Sequence, residues 1–188
     1  MSVDFDFRRK AVRTLTSQIG VYALCDLDNV PMYVGQSSDG IRQRVQRHLT
    51  SARSDIIANR QIDVWEIGFV WEYPVASKAD MDLAEATLFH DLNPRSRLMN
   101  GTIPAAPAAG APVPSPANVI QVMSDEEIAE KKDMEVRLPR QAGHYAQIVG
   151  HFLTVKNSNQ IARAMDAHFA RLSKYHVMML RLGSEEEA

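Results

Sequence analysis

Apolar and polar positions alternate along residues 18–25: Ile19, Val21, Ala23 and Cys25 fall on one side, Tyr22 and Leu24 on the other. A period of two predicts a strand. The run Asp26-Leu27-Asp28-Asn29 supplies turn chemistry. Residues 31–35 return as a second short strand, so the pair predicts a hairpin. The period then changes. Ile41, Val45 and Leu49 form a helical stripe ending near Thr50, with Asp39 placed to cap it. Residues 64–73 alternate again, with Trp65, Ile67, Phe69, Trp71 and Tyr73 on one face. Ser77 caps a helix that runs to Leu92, and Pro94 stops it. A short basic helix over residues 5–17 precedes the hairpin. The order β-β-α-β-α predicts an α/β chain of the α+β type: a small three-stranded, mainly antiparallel sheet flanked by helices.

Residues 102–117 (TIPAAPAAGAPVPSPA) break every period. Proline fixes φ and removes a donor, so this stretch reads as a semi-rigid linker. It divides the chain into residues 1–101, with a core over 18–101, and a helical region over 118–188. In the second region Ser124 with Glu127, and Asn157 with Gln160, have the spacing of capping boxes. A helix is expected over residues 141–155. In the last helix Ile161, Met165, His168, Leu172, Tyr175 and Met179 follow a heptad-like seam. Packing on the preceding helix explains that seam, and a homodimer through these helices is the other reading. The terminal Glu185-Glu186-Glu187 run reads as a frayed, solvated tail.

Composition narrows the picture. The chain has 188 residues, 45% hydrophobic, with a formal net charge of −2, so no global positive field draws it to nucleic acid. A local patch does exist: Arg42, Arg44, Arg47, Arg53 and Arg60 lie within twenty residues of one another against a single Asp55. A solvated helix face would look the same. The one cysteine, Cys25, sits in an apolar strand and reads as a small buried hydrophobe. No apolar run approaches the ~18 residues of a membrane span, and no signal-peptide core opens the chain. A cytoplasmic, reducing setting is expected. There is no glycine-rich phosphate loop, so no small-molecule cofactor is expected. The four histidines beyond the linker (His144, His151, His168, His176) lack metal-ligand spacing.

Glu85 falls on the inward stripe of its helix with Met81, Leu88 and Leu92. A carboxylate on an apolar face is costly unless it pairs with a cation. A neighbouring arginine would serve, and so would Mg²⁺, which takes one or two carboxylates plus water and phosphate oxygens. Arg44 and His48 are four apart and share a helix face. An arginine there can grip a phosphate in a bidentate fork, and a histidine can move a proton near neutral pH. Tyr22 and Tyr33 face each other across the hairpin, an arrangement that packing alone also produces.

Gly20-Val21-Tyr22 and Tyr33-Val34-Gly35, followed by Arg44, His48, Glu85 and Asn100, resemble the GIY-YIG nuclease family over residues 18–101, about half the chain. The resemblance implies metal-dependent hydrolysis of DNA as an endonuclease. In that scheme Tyr22 is the general base for water and Tyr33 supports it. Arg44 stabilises the scissile phosphate, and His48 assists proton transfer or anchors Tyr22. Glu85 binds one Mg²⁺ or Mn²⁺, and Arg42, Arg47 and Arg53 contact the DNA backbone. The family's asparagine beyond the glutamate is assigned to Asn100, with Asn93 second. The usual Pro-x-x-Asn spacing is stretched here, since Arg97 stands third after Pro94. Val34 replaces the commoner isoleucine. The alternative is an inactive module that binds nucleic acid or protein, with the helical region carrying oligomerisation. Nothing in the chain resembles an RNA-recognition module. Geometry separates the two: an enzyme brings Tyr22, Tyr33, Arg44, His48 and Glu85 to one concave surface.

Overall fold

A computed structural model describes residues 4–50 and 54–186; the side chains of Asp55 and of residues 182–186 are outside that description. The architecture is mixed α+β. Strands β1 (Gly20–Cys25), β2 (Pro31–Ser37), β3 (Phe69–Pro74) and β4 (Asn118–Gln121) form one antiparallel sheet in the order β2-β1-β3-β4. The fourth strand is a departure from the three expected. It follows the Pro/Ala stretch and extends the sheet beyond β3.

β1 is central and all six of its residues are buried, which is why its sequence is almost wholly apolar. Its two faces feed two cores. Val21, Ala23 and Cys25 pack with Val34 and with Met81, Leu88, Phe89 and Leu92 of helix α4 (Lys78–Leu92). Tyr22 and Leu24 pack on the opposite face with α1 (Phe5–Thr14) and α2 (Ile41–Thr50), through Val12, Ile41, Val45 and Leu49. Each large apolar side chain so buried contributes about 1.5–3 kcal/mol.

The local chemistry differs from expectation at three helix or strand starts. Asp39 does not cap α2. Gly40, at φ 102°, precedes the helix, and a Cβ there would lie 2.5 Å from the Ser17 carbonyl oxygen. The first two amides of α2 donate instead to backbone: Ile41 to Gln18 O (3.0 Å) and Arg42 to Thr16 O (2.9 Å). The third strand is shorter than its alternation. Residues Val64–Glu66 form a 3₁₀ turn in which the Asp63 carboxylate accepts from Trp65 N, and the strand starts only at Phe69. Trp65 therefore leaves the strand face and stacks beneath Arg8. The last helix, α7 (Asn159–Glu186), is capped by the Ser158 hydroxyl rather than by Asn157.

Among the predicted caps, Ser77 and Ser124 do hold α4 and α5 (Asp125–Lys132). Helix α6 (Met134–Thr154) begins a full two turns before residue 141 and carries Pro139 inside it. The short α3 (Asp55–Ala58) completes the set.

α7 packs on α6, and both are tied to the sheet by buried charge. Arg137, with no exposed surface, donates Nε and Nη2 to Glu66 Oε1 (2.9 and 2.5 Å), Nη1 to Asp28 (2.6 Å) and Nη2 to the Tyr175 hydroxyl (2.9 Å). Arg171 donates to Asp26 Oδ2 (2.6 Å), Pro31 O (2.7 Å) and Ser96 Oγ (2.8 Å). Arg140 bridges Asp63 and Glu66, and Lys132 pairs with Asp28. Four cations thus meet four anions. Burial pulls the Arg137 guanidinium down, but Glu66 and the surrounding acceptors outweigh it and hold the charge firmly.

The seam histidine His168 packs against His144, ring centroids 4.8 Å apart, with Nε2 donating to Gln61 O. Burial, reinforced by His144, pushes His168 down to about 3. Cys25 is buried and free.

Two outcomes are expected. Arg171→Met removes the nearest counter-charge of buried Asp26, leaving it two backbone amides and Arg137 at 3.9 Å, and lowers unfolding free energy by about 1.5–3 kcal/mol in a urea titration. Separately, His168 stays neutral in the fold, while the unfolded chain takes up its proton below about pH 6.5. Stability is therefore lost as pH falls from 6.5 toward 3. His168→Gln, which keeps a donor for Gln61 O, flattens that slope.

Candidate active site

The site is built on β2, an edge strand. Tyr33 and Gly35 lie on one face of it and Val34 and Gln36 on the other. Across the ladder Tyr22 pairs with Gly35. A Cβ on Gly35 would lie 2.5 Å from the Tyr22 hydroxyl and 2.7 Å from Tyr33 Cε1. Glycine is needed there because both rings fold over its α-carbon. The rings lie 6.4 Å apart between centroids.

The Tyr22 hydroxyl contacts His48 Nε2 at 2.7 Å, and His48 Nδ1 contacts Ser54 Oγ at 2.7 Å. All three side chains are buried. His48 reaches this position because it extends the Ile41/Val45/Leu49 stripe of α2 inward. Ser54 heads α3: its carbonyl accepts from Ile57 and Ala58, which leaves its hydroxyl to the imidazole. Burial raises the Tyr22 phenol well above its ordinary value, Tyr33 adds to this, and the Arg44 guanidinium, charged and within bonding reach, pulls it back. Glu85 is near enough to raise it further by repulsion. In the protein alone Tyr22 is a neutral phenol.

Glu85 stands half-buried on α4, beyond the strand edge. Its Oε2 accepts from Gln36 Nε2 (2.9 Å), and among the described residues it has no ion pair with an arginine. Burial raises its carboxyl, the Gln36 bond opposes that, and Asp82 adds to the rise. A carboxylate steadied by a neutral amide is a donor suited to a hard cation that keeps most of its waters. No cluster of three or more His, Cys, Asp or Glu side chains stands ready for a metal among the described residues.

A cavity of about 90 Å³ opens beside the site, lined by Gln36, Ser37, Ser38, Asp39, Arg44 and Arg47. Arg47 is exposed at its rim. Arg42 turns elsewhere and donates Nε to Leu15 O (2.6 Å). Arg53 lies outside the described residues. Asn100 Oδ1 accepts from Val34 N (3.0 Å) and its Nδ2 donates to Val34 O (2.6 Å), so the amide closes the outer edge of β2. Asn93 accepts from Leu98 N (3.1 Å) and shapes the turn after α4.

Tyr22, Tyr33, Arg44 and His48 therefore share one locus, with Glu85 at its border. Two members were not visible in the sequence. Gln36 directly follows the Tyr-Val-Gly triplet, and its i+2 relation to Val34 was the available signal. Ser54 had none, because its approach depends on the turn between α2 and α3.

These features define an α+β domain with a phenol–imidazole–guanidinium site bordered by a lone carboxylate. Residues 18–100 match the family model described as the GIY-YIG catalytic domain. A nuclease domain of that kind implies a nucleic-acid substrate. No curated protein matches the chain. Among the described residues no helix is long and apolar enough to cross a membrane.

Asn100→Ala leaves the Val34 amide and carbonyl buried without partners. At about 1–3 kcal/mol for each of the two groups, unfolding free energy should fall by about 2–6 kcal/mol. Hydrogen exchange at the Val34 amide should speed up while exchange in α6 and α7 is unchanged.

Proposed function

We propose that the domain is a divalent-metal-dependent DNA endonuclease. The observation that carries this reading is the buried chain Tyr22 Oη–His48 Nε2–Ser54 Oγ, 2.7 Å at each link, which ends beside Arg44 and Glu85. A phenol with a raised pKa is a poor base by itself. A phenol that passes its own proton to an imidazole as it accepts another is a competent one.

The water oxygen attacks phosphorus and loses a proton to Tyr22 Oη. The Tyr22 proton moves to His48 Nε2. The resulting imidazolium keeps its Nδ1–H on Ser54 Oγ. The bond from phosphorus to the 3′ oxygen breaks, and that oxygen leaves with the electron pair and takes a proton from solvent. Arg44 faces the negative charge that gathers on the phosphoryl oxygens. Tyr33 packs against the His48 ring, centroids 6.2 Å apart, and holds it in line. Glu85 would hold Mg²⁺ or Mn²⁺, whose charge would stabilise the phosphate and the departing oxygen. Ser54 acts as a positioning residue, because it selects the tautomer in which Nε2 is free to accept. Arg47, beside the small cavity, suits an adjoining backbone phosphate.

The test is cleavage of supercoiled plasmid DNA, with RNA of matched length alongside. Wild type is expected to cut DNA with Mg²⁺ and not with chelator. Tyr22→Phe and Glu85→Gln should each lose at least about 10²-fold. Equal cutting by wild type and Glu85→Gln would sink the metal role, and cutting of RNA alone would reassign the substrate.

A pH arm follows from the raised Glu85 carboxyl. Protons compete with the cation at higher pH than for an exposed carboxylate. Cleavage at limiting Mg²⁺ should therefore fall as pH drops through that raised value and recover when Mg²⁺ is increased. Ser54→Ala should lower the rate about tenfold and leave the Mg²⁺ dependence unchanged.

A further inference from the structure

We infer that the outer face of the α6–α7 hairpin seats a second copy of this chain, α7 against α7 in antiparallel register. Arg137 meets Tyr175 and His144 meets His168, so the two helices run antiparallel and the start of α6 lies opposite Met178. α7 continues beyond that point. Every described side chain of α7 after Tyr175 is exposed, including Val177 (45%), Met178 (36%), Met179 (43%) and Leu180 (61%). Four consecutive apolar residues, Val177 to Leu180, thus stand in water where the hairpin ends and α7 runs on, with little of the tertiary packing that ordinarily stabilises a helix.

Beside the overhang, Leu138 and Ala142 of α6 and Phe169, Leu172 and Val177 of α7 line a groove of about 480 Å³. Phe169 stands over it, 55% exposed. A dimer with a two-fold axis must match each contact with its reverse. An axis passing between Lys174 and Tyr175 does so. It sets Phe169 of one copy against Leu180 of the other, Leu172 against Val177, and Ser173 against His176. Apolar faces apolar at both ends, and polar faces polar at the centre.

The exposed surface of Phe169, Val177, Met179 and Leu180 amounts to roughly 400 Å² per copy, so two stripes with the groove floor approach the ~1,200 Å² at which specific interfaces begin.

The experiment is the solution mass of the full chain by sedimentation or light scattering, without DNA or metal. Its outcome is therefore independent of the nuclease reading. The expected mass is 42.0 kDa, twice the 21.0 kDa of one chain. A mass of 21.0 kDa at micromolar concentration overturns the proposal, even if the face then captures DNA or lipid vesicles. Phe169→Lys and Leu180→Glu should each halve the mass. The double variant Phe169→Lys/Leu180→Glu places opposite charges in register and should restore the dimer; a monomeric double variant overturns the register. Leu153→Glu, at a 72% exposed position away from this face, should leave the mass doubled. Its loss of the dimer would assign association elsewhere.

Discussion

Everything in the site depends on closing the free edge of β2. That strand has β1 on one side only, and it carries Tyr33, Gly35 and Gln36. An unpaired edge invites another strand or water and leaves the register soft. Here residues 96–100 finish the ladder without being a strand. Ser96 Oγ donates to Pro31 O, Met99 N donates to Met32 O, and the Asn100 amide brackets Val34. Slippage of β2 by one residue would exchange the faces of Tyr33 and Gln36. The phenols would lose the glycine beneath them, and Glu85 would lose its amide.

The same arrangement explains the electrostatics. Tyr22 and Glu85 both have raised pKa values, each chiefly through burial. The protein thus holds its acidic groups in an environment that disfavours their charge. Arg44 is the counterweight, since it alone pulls the phenol down. An incoming phosphate engages that arginine, and an incoming cation engages the carboxylate. The site is arranged so that ionisation follows binding, in keeping with a low-dielectric setting that strengthens each charge interaction.

Much of this was legible in the chain. The strand position of Tyr22 followed from alternation, the inward carboxylate from helical spacing, and Ser77 and Ser124 from capping chemistry. What escaped shares one physical cause. Local pattern does not report which distant backbone group a side chain will satisfy. Asn100 was expected to orient the site, but that its amide would do so by holding the Val34 amide and carbonyl could not be read locally. Asp39 looked like a cap, yet backbone carbonyls of residues 16 and 18 serve α2. Residues 64–73 alternate well, but the Asp63 carboxylate caps the first part as a 3₁₀ turn. The four-residue β4 gave almost no signal, because half of it is exposed and its partner strand lies beyond a linker.

The charges joining the helices to the sheet raise a question of purpose, since an apolar interface would be at least as stable. Their geometry suggests an answer in register. Asp26 accepts from Asp28 N and Val30 N, which sets the β1–β2 turn, and the same carboxylate receives Arg171 from α7. Arg171 also reaches Pro31 O and Ser96 Oγ, the first residue of β2 and the first of the segment that closes its edge. Leucine contacts tolerate a shift of an ångström, whereas a guanidinium with three fixed acceptors does not. α7 therefore acts on the site from a distance: it fixes where β2 begins, and hence the positions of Tyr33, Gly35 and Gln36 along it.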